Sequence, residues 1–164
     1  MTIKSLLIAN RGEIAIRITR AAQDLGMRTV AVHTKDDEAS LHVRRSDHAI
    51  ALPGVGAAGY LDIDGVIAAA HEAGCDAVHP GYGFLAERAD FAEACARAGL
   101  TFVGPTPAHL ALFGDKAQAR AAAIAAGVPV TRGIDRAVTL AEAEAFFEEV
   151  DGPVMLKAIA GGGG

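Results

Sequence analysis

Lys157 and the four glycines that close the chain, Gly161, Gly162, Gly163 and Gly164, combine one cation with a run of backbone amides that no Cβ shields. Such a run suits the holding of phosphate. The lysine sits in a strand-like stretch, Val154-Met155-Leu156-Lys157-Ala158-Ile159, where it shares a face with Met155 and Ile159. An ammonium in that partly apolar setting needs an anionic partner. A second lysine, Lys116, follows Gly114-Asp115 at the start of a predicted helix, where the macrodipole prefers anions. A bound phosphate would account for it, and a solvated surface lysine is the plain alternative. The chain holds four lysines against eleven arginines, so lysine is not its routine surface cation, which favours the phosphate reading. The competing reading of the glycines is a flexible tail.

A third candidate is His79-Pro80-Gly81-Tyr82-Gly83-Phe84-Leu85, at the carboxyl end of a predicted strand. Its glycines let backbone approach a ligand and Tyr82 stands between them; the alternative is that Phe84 and Leu85 plug the core. Glu87 falls where it can charge the first turn of the next helix. Asn10-Arg11-Gly12-Glu13 occupies the first strand-to-helix turn but offers one glycine where a dinucleotide fingerprint needs three, so NAD binding is disfavoured. A tight turn with Glu13 near a helix N-terminus suffices there. Arg17, Arg20 and Asp24 line the polar side of the first helix, a stripe ordinarily only solvated.

The elements that must position these residues alternate. Residues 3–9, 28–33, 49–52, 76–79 and 101–103 read as short buried strands, and helices fall at about 12–25, 38–45, 62–73 and 87–98, with Asp62 as a cap and residues 53–59 as a glycine-rich loop. Gly26, Gly74, Gly99 and Gly127 each stand between a helical pattern and an apolar extended run. The rhythm predicts an α/β fold, a doubly wound parallel sheet with helices on both faces, whose ligands bind beyond the carboxyl ends of the strands. After Gly104-Pro105, two helices (108–113 and 115–126), a third at 140–150 and a strand at 153–159 read as a connector and the first piece of another domain.

With 164 residues, 51% of them hydrophobic, the chain can bury a substantial core. A net charge of -5 without a basic run argues against nucleic acid or an anionic membrane as partner. No stretch reaches transmembrane length, and Cys75 and Cys95 read as buried thiols, which makes the cytosol the expected location.

Taken in order, Leu7-Ile8-Ala9-Asn10-Arg11-Gly12-Glu13-Ile14-Ala15, the His79 to Leu85 loop, Phe102-Val103-Gly104-Pro105, Gly114-Asp115-Lys116 and Lys157 with its glycines closely resemble the N-terminal part of biotin carboxylase, the ATP-grasp component of biotin-dependent carboxylases. The resemblance covers the whole chain. It implies a Rossmann-like pre-ATP-grasp domain over 1–103, connecting helices over 104–130 and the beginning of an ATP-grasp lid over 131–164. It implies ATP-driven activation of bicarbonate to carboxyphosphate and then carboxylation of biotin on a carrier protein, in company with a carboxyltransferase component. By position, Lys116 and Lys157 would contact the nucleotide, Gly161 to Gly164 would cover its phosphates, and Tyr82, Gly83 and Glu87 would border the biotin and bicarbonate pocket. Arg20 and Asp24 match a homodimer contact. Ala86 and Arg88 stand where the family has serine and asparagine, and the Arg-Gly-Met that follows the glycines in the family is absent. Magnesium ligands and the catalytic base are expected in a further region, so the sequence reads as a truncated fragment that does not turn over alone. The rival from another class is a non-catalytic Rossmann-type binding or dimerisation module, with a dehydrogenase further off.

Overall fold

Ser5–Ile8 forms β1, a tetrapeptide buried at every position, as the centre of a sheet covered on both faces requires. The computed structural model describes residues 2–134, 136–150 and 152–156. The chain divides into two compact units, Met1–Ala111 and Leu112–Gly164. After β1 come α1 (Gly12–Asp24), β2 (Arg28–His33), a 3₁₀ turn (Lys35–Asp37), α2 (Leu41–Arg45), β3 (His48–Ala51), α3 (Gly56–Tyr60), α4 (Ile63–Glu72), β4 (Ala77–His79), α5 (Ala89–Arg97) and β5 (Thr101–Phe102). Then follow α6 (Pro107–Gly114), α7 (Lys116–Ala125) and α8 (Leu140–Val150).

The strands form one parallel sheet in the order β3-β2-β1-β4-β5. Alternation along β1 feeds two cores. Leu7 lies opposite Val30 and Val78 and packs with Val66 and Ala70 of α4 and with Phe91 and Cys95 of α5. Leu6 and Ile8 point the other way, onto Ala15 and Ala22 of α1. Connections that move in opposite directions along a parallel sheet place their helices on opposite faces, because crossovers share one hand. The fold is therefore the predicted doubly wound α/β arrangement.

Glycine caps set its rhythm. Gly26, Gly74, Gly99 and Gly127 have φ of 73°, 60°, 72° and 71°, the left-handed conformation that closes a helix. At each, the next residue's N–H reaches back to the carbonyl five residues earlier: Met27 to Ala22, Cys75 to Ala70, Leu100 to Cys95 and Val128 to Ala123. The first three lead into strands. The fourth does not: residues 128–131 form no strand, and none pairs with them among the described residues.

Other expectations shift. The glycine-rich loop at 53–59 is partly helix, α3, whose buried Tyr60 anchors it to the core. Gly59 is needed there for close approach, since a Cβ would collide with the Thr34 methyl and lie 2.9 Å from the Pro53 carbonyl oxygen. The helix predicted over 38–45 is shorter, α2 alone, with the 3₁₀ turn lying ahead of the predicted span, and the helix predicted from 87 begins at Ala89. Residues 153–156 form no strand, and the remainder of that predicted strand, 157–159, lies outside the described residues.

Helices of the second unit are closed by local capping. Asp115 Oδ1 accepts from the Ala117 and Gln118 amides at 2.9 and 3.0 Å. Thr139 and Glu142 cap each other reciprocally ahead of α8, the Thr139 amide donating to Glu142 Oε2 at 2.8 Å and the Glu142 amide to Thr139 Oγ1 at 3.3 Å. No described residue of this unit is buried.

Candidate functional site

At the carboxyl edge of the sheet the chain leaves β1 toward β2 on one side, while its other neighbour, β4, leads away to β5. A crevice opens at such a switch point. Two loops meet there, residues 9–12 after β1 and residues 80–84 after β4. The sheet ladder ends with the Ala9 amide on the His79 carbonyl at 2.9 Å.

Asn10, 3% exposed, joins the two loops. Its Nδ2 donates to the Pro80 carbonyl at 2.8 Å and the Tyr82 carbonyl at 2.9 Å, and its Oδ1 accepts from the Arg11 amide at 2.9 Å. Two acceptors on one end and a donor on the other fix the orientation of the amide. Gly81, at φ 69°, passes so close that a Cβ would lie 2.6 Å from Asn10 Nδ2 and 2.9 Å from Ile14 Cγ2. The Gly81 amide donates to His79 Nδ1 at 3.0 Å, so the neutral ring carries its proton on Nε2. Burial lowers the His79 pKa, in keeping with that neutral form.

Beyond the glycine, Tyr82 is 69% exposed, whereas Leu85 is fully buried. Phe84 adopts φ 44°, a conformation that costs a non-glycine residue about 1 to 3 kcal/mol. Its ring packs against Tyr60, centroids 5.3 Å apart. The loop thus plugs the core with Phe84 and Leu85 and still presents Tyr82 outward. Tyr82, Gly81 and His79 also wall an open apolar cavity of about 550 Å³, completed by Ile14, Ile18 and Leu25.

Arg11 leads to a second cluster. Its guanidinium forks onto Asp37, Nε to Oδ2 at 2.6 Å and Nη2 to Oδ1 at 2.7 Å. Asp37 also accepts from the Tyr60 hydroxyl at 2.9 Å and from the Ser40 hydroxyl at 3.0 Å. The Arg11 hydrogen bonds hold the buried Asp37 carboxyl well below the usual carboxylate range, against its burial. Burial and the Asp37 contact push the Tyr60 hydroxyl up to about 12. Neither Asn10's clamp nor this cluster was expected from the sequence. The available signal was an arginine after the first strand and Asp36-Asp37 after the second, which adjacent parallel strands bring side by side.

The predicted site residues distribute as follows. Tyr82 and Gly83 lie in the switch-point loop, Gly83 at φ 66°, and the exposed Glu87 closes the turn behind them. Arg88, one of the departures from the family pattern, turns to α5 and pairs with Asp90 at 2.5 Å. Arg20 and Asp24 are exposed on α1 beside an open cavity of about 680 Å³ that reaches Leu41 of α2. Lys116 begins α7 in the second unit. Two amides of that helix's first turn, Ala117 and Gln118, are taken by Asp115, which supplies the anion the macrodipole favours. Lys157, Gly161, Gly162, Gly163 and Gly164 lie outside the described residues. Cys75 and Cys95 are free and buried, and burial raises both thiols, Cys95 to about 11, far from a reactive thiolate. Among the described residues no three His, Cys, Asp or Glu side chains gather as a metal site, and no helix is long and apolar enough to cross a membrane.

The sequence profile described as "Biotin carboxylase, N-terminal domain" matches residues 2–110. Mitochondrial pyruvate carboxylase of Mus musculus is 52% identical over 99% of this chain, which spans 14% of that protein. The biotin carboxylase domain of a single-chain bacterial carboxylase superposes with a TM-score of 0.86 at 57% identity, covering 91% of this chain and 35% of that one. The biotin carboxylase domain dimer of Hydrogenobacter thermophilus 2-oxoglutarate carboxylase, solved with MgADP, ADP and bicarbonate, gives a TM-score of 0.90 at 42% identity, covering 99% of this chain and 36% of that one. The match runs through both loops of the switch point, and with it the chain belongs to the family of biotin carboxylase N-terminal domains.

Proposed function

We propose that the chain serves as the N-terminal part of an ATP-dependent biotin carboxylase and contributes one wall of its biotin and bicarbonate pocket. The observation that carries this reading is the 80–84 loop, held rigidly by Asn10 at the switch point with Tyr82 turned outward. In this reading Tyr82, Gly83 and Glu87 border the pocket, while Lys116, Lys157 and Gly161 to Gly164 attend the nucleotide. ATP transfers its γ-phosphoryl group to bicarbonate, releasing ADP, and the resulting carboxyphosphate yields the carboxyl group to biotin with release of phosphate. Among the described residues no group of His, Cys, Asp or Glu could hold the magnesium ion of MgATP. Residues 1–103 would be the pre-ATP-grasp domain, 104–130 the connecting helices and 131–164 the opening of the lid. Biotin would arrive on a carrier protein or domain and leave carboxylated for a carboxyltransferase. A homodimer contact at Arg20 and Asp24 fits their exposure on α1, and the two buried free thiols suit a reducing compartment such as the cytosol.

The test combines this chain with the remaining portion of a biotin carboxylase relative and measures ADP release. Bicarbonate-dependent ATP cleavage is expected. Lys116→Ala and Lys157→Ala should each remove about 1.5 to 3 kcal/mol of nucleotide binding. Full activity in both variants would overturn the assigned roles.

A further inference from the structure

We propose that Asn10 and Arg11 are a positioning pair that sets the substrate loop 80–84 from both of its ends. Asn10 holds the near end directly, with both amide hydrogens spent on the Pro80 and Tyr82 carbonyls. Arg11 holds the far end through a relay. It forks onto Asp37, Asp37 accepts the Tyr60 hydroxyl, and the Tyr60 ring packs on Phe84. Between these anchors the Tyr82 side chain and Gly83 are exposed.

Three further features fit a loop whose shape is imposed. Gly81 has no room for a Cβ because the Asn10 amide occupies that space, so the clamp and the glycine require each other. The left-handed Phe84 keeps its conformation only if its ring stays anchored. The Gly81 amide and the Ala86 amide, bonded to His79 Nδ1 and to the Gly83 carbonyl at 2.9 Å, mark the loop's two ends. Neither Asn10 nor Arg11 needs to touch substrate for this role. Both act through residues 80–84, and the functional half of the proposal rests on the biotin-pocket reading above.

The experiment has two arms. In the first, amide hydrogen exchange is followed in the full chain and in Asn10→Asp and Arg11→Lys. The aspartate keeps the shape of asparagine but turns a carboxylate on two carbonyls, and the lysine keeps the charge but cannot fork. Asn10→Asp should speed exchange at Gly81 about tenfold, a loss equivalent to one buried hydrogen bond. Arg11→Lys should do so at Ala86, while the sheet amides Ala9 and Val103 keep their protection in both. Unchanged exchange at Gly81 and Ala86, or an equal rise across the sheet, overturns the proposal.

In the second arm the same variants are assayed with the remaining portion of a biotin carboxylase relative. Asn10→Asp should raise the KM for free biotin about tenfold with the KM for ATP unchanged. An active enzyme whose biotin KM does not move overturns the positioning role. Failure of the unmodified chain to support activity counts against the proposed function alone, and the exchange arm then still decides whether Asn10 and Arg11 set the loop.

Discussion

The two units of the chain use the same local devices to opposite effect. In Met1–Ala111, glycine-capped helices α1, α4 and α5 hand over to strands that vanish into a sheet, and Leu7, Val30, Val78 and Phe91 are fully buried. In Leu112–Gly164, α7 is capped by Asp115 and closed by Gly127 with equal regularity, yet Val128 beyond it is 54% exposed and Leu140 and Phe147 of α8 are 74% and 52% exposed. Caps decide where a helix starts and stops. Burial needs neighbours distant in sequence, and only the first unit supplies them among the described residues.

The largest expected effect comes from the cores. Phe91→Ala should cost about 3 to 5 kcal/mol of unfolding free energy. Phe147→Ala, on a half-exposed side chain, should cost under about 1 kcal/mol. Denaturant titrations of the two variants test the contrast, and equal losses would break it.

Next is the ion cluster. Removing one partner of a buried pair leaves the other stranded, and because Arg11 is 47% exposed the cost of Asp37→Ala should be about 2 to 3 kcal/mol. The folded pKa of Asp37 is depressed, so its stabilisation is complete above the unfolded value near 4 and is lost as pH falls below it. Acid titration of stability should therefore be flatter in Asp37→Asn below about pH 4. The histidines act at higher pH. Burial lowers His42 and His79, so the unfolded chain binds more protons and stability should fall as pH drops from about 7 toward 5. That slope should shrink in His42→Gln, as measured by melts across the range.

Smaller again are the caps. Asp115→Ala should lower the helicity of the second unit, read by circular dichroism, with the melting of the first unit unchanged. Loss of the exposed Arg132–Glu149 pair should change stability by at most about 1 kcal/mol, least at high salt.

What the sequence made legible follows the same division. Strands 28–33 and 76–79, the Asp62 cap and the four capping glycines were readable because each signal spans a few residues. Helix α3 was not, since Gly-Ala-Ala-Gly lowers helix propensity and Tyr60 holds it through contacts elsewhere. At the site, the loop with Tyr82 and Gly83 was visible as a motif. The groups that hold it were not, because Asn10 reaches partners 70 and 72 residues away and Arg11 one 26 residues away. Pairing of that kind is fixed by strand order, which the sequence implies only as a class.

In the proposed function the biotin side falls to Tyr82 in the first unit and the nucleotide side to Lys116 in the second. That assignment is tested most directly by steady-state kinetics of the chain combined with the remaining portion of a biotin carboxylase relative, with biotin and ATP varied in turn. Tyr82→Ala should raise the KM for biotin and leave that for ATP unchanged, and Lys116→Ala should do the reverse. A Tyr82→Ala enzyme altered in ATP alone, or a Lys116→Ala enzyme altered in biotin alone, would contradict it.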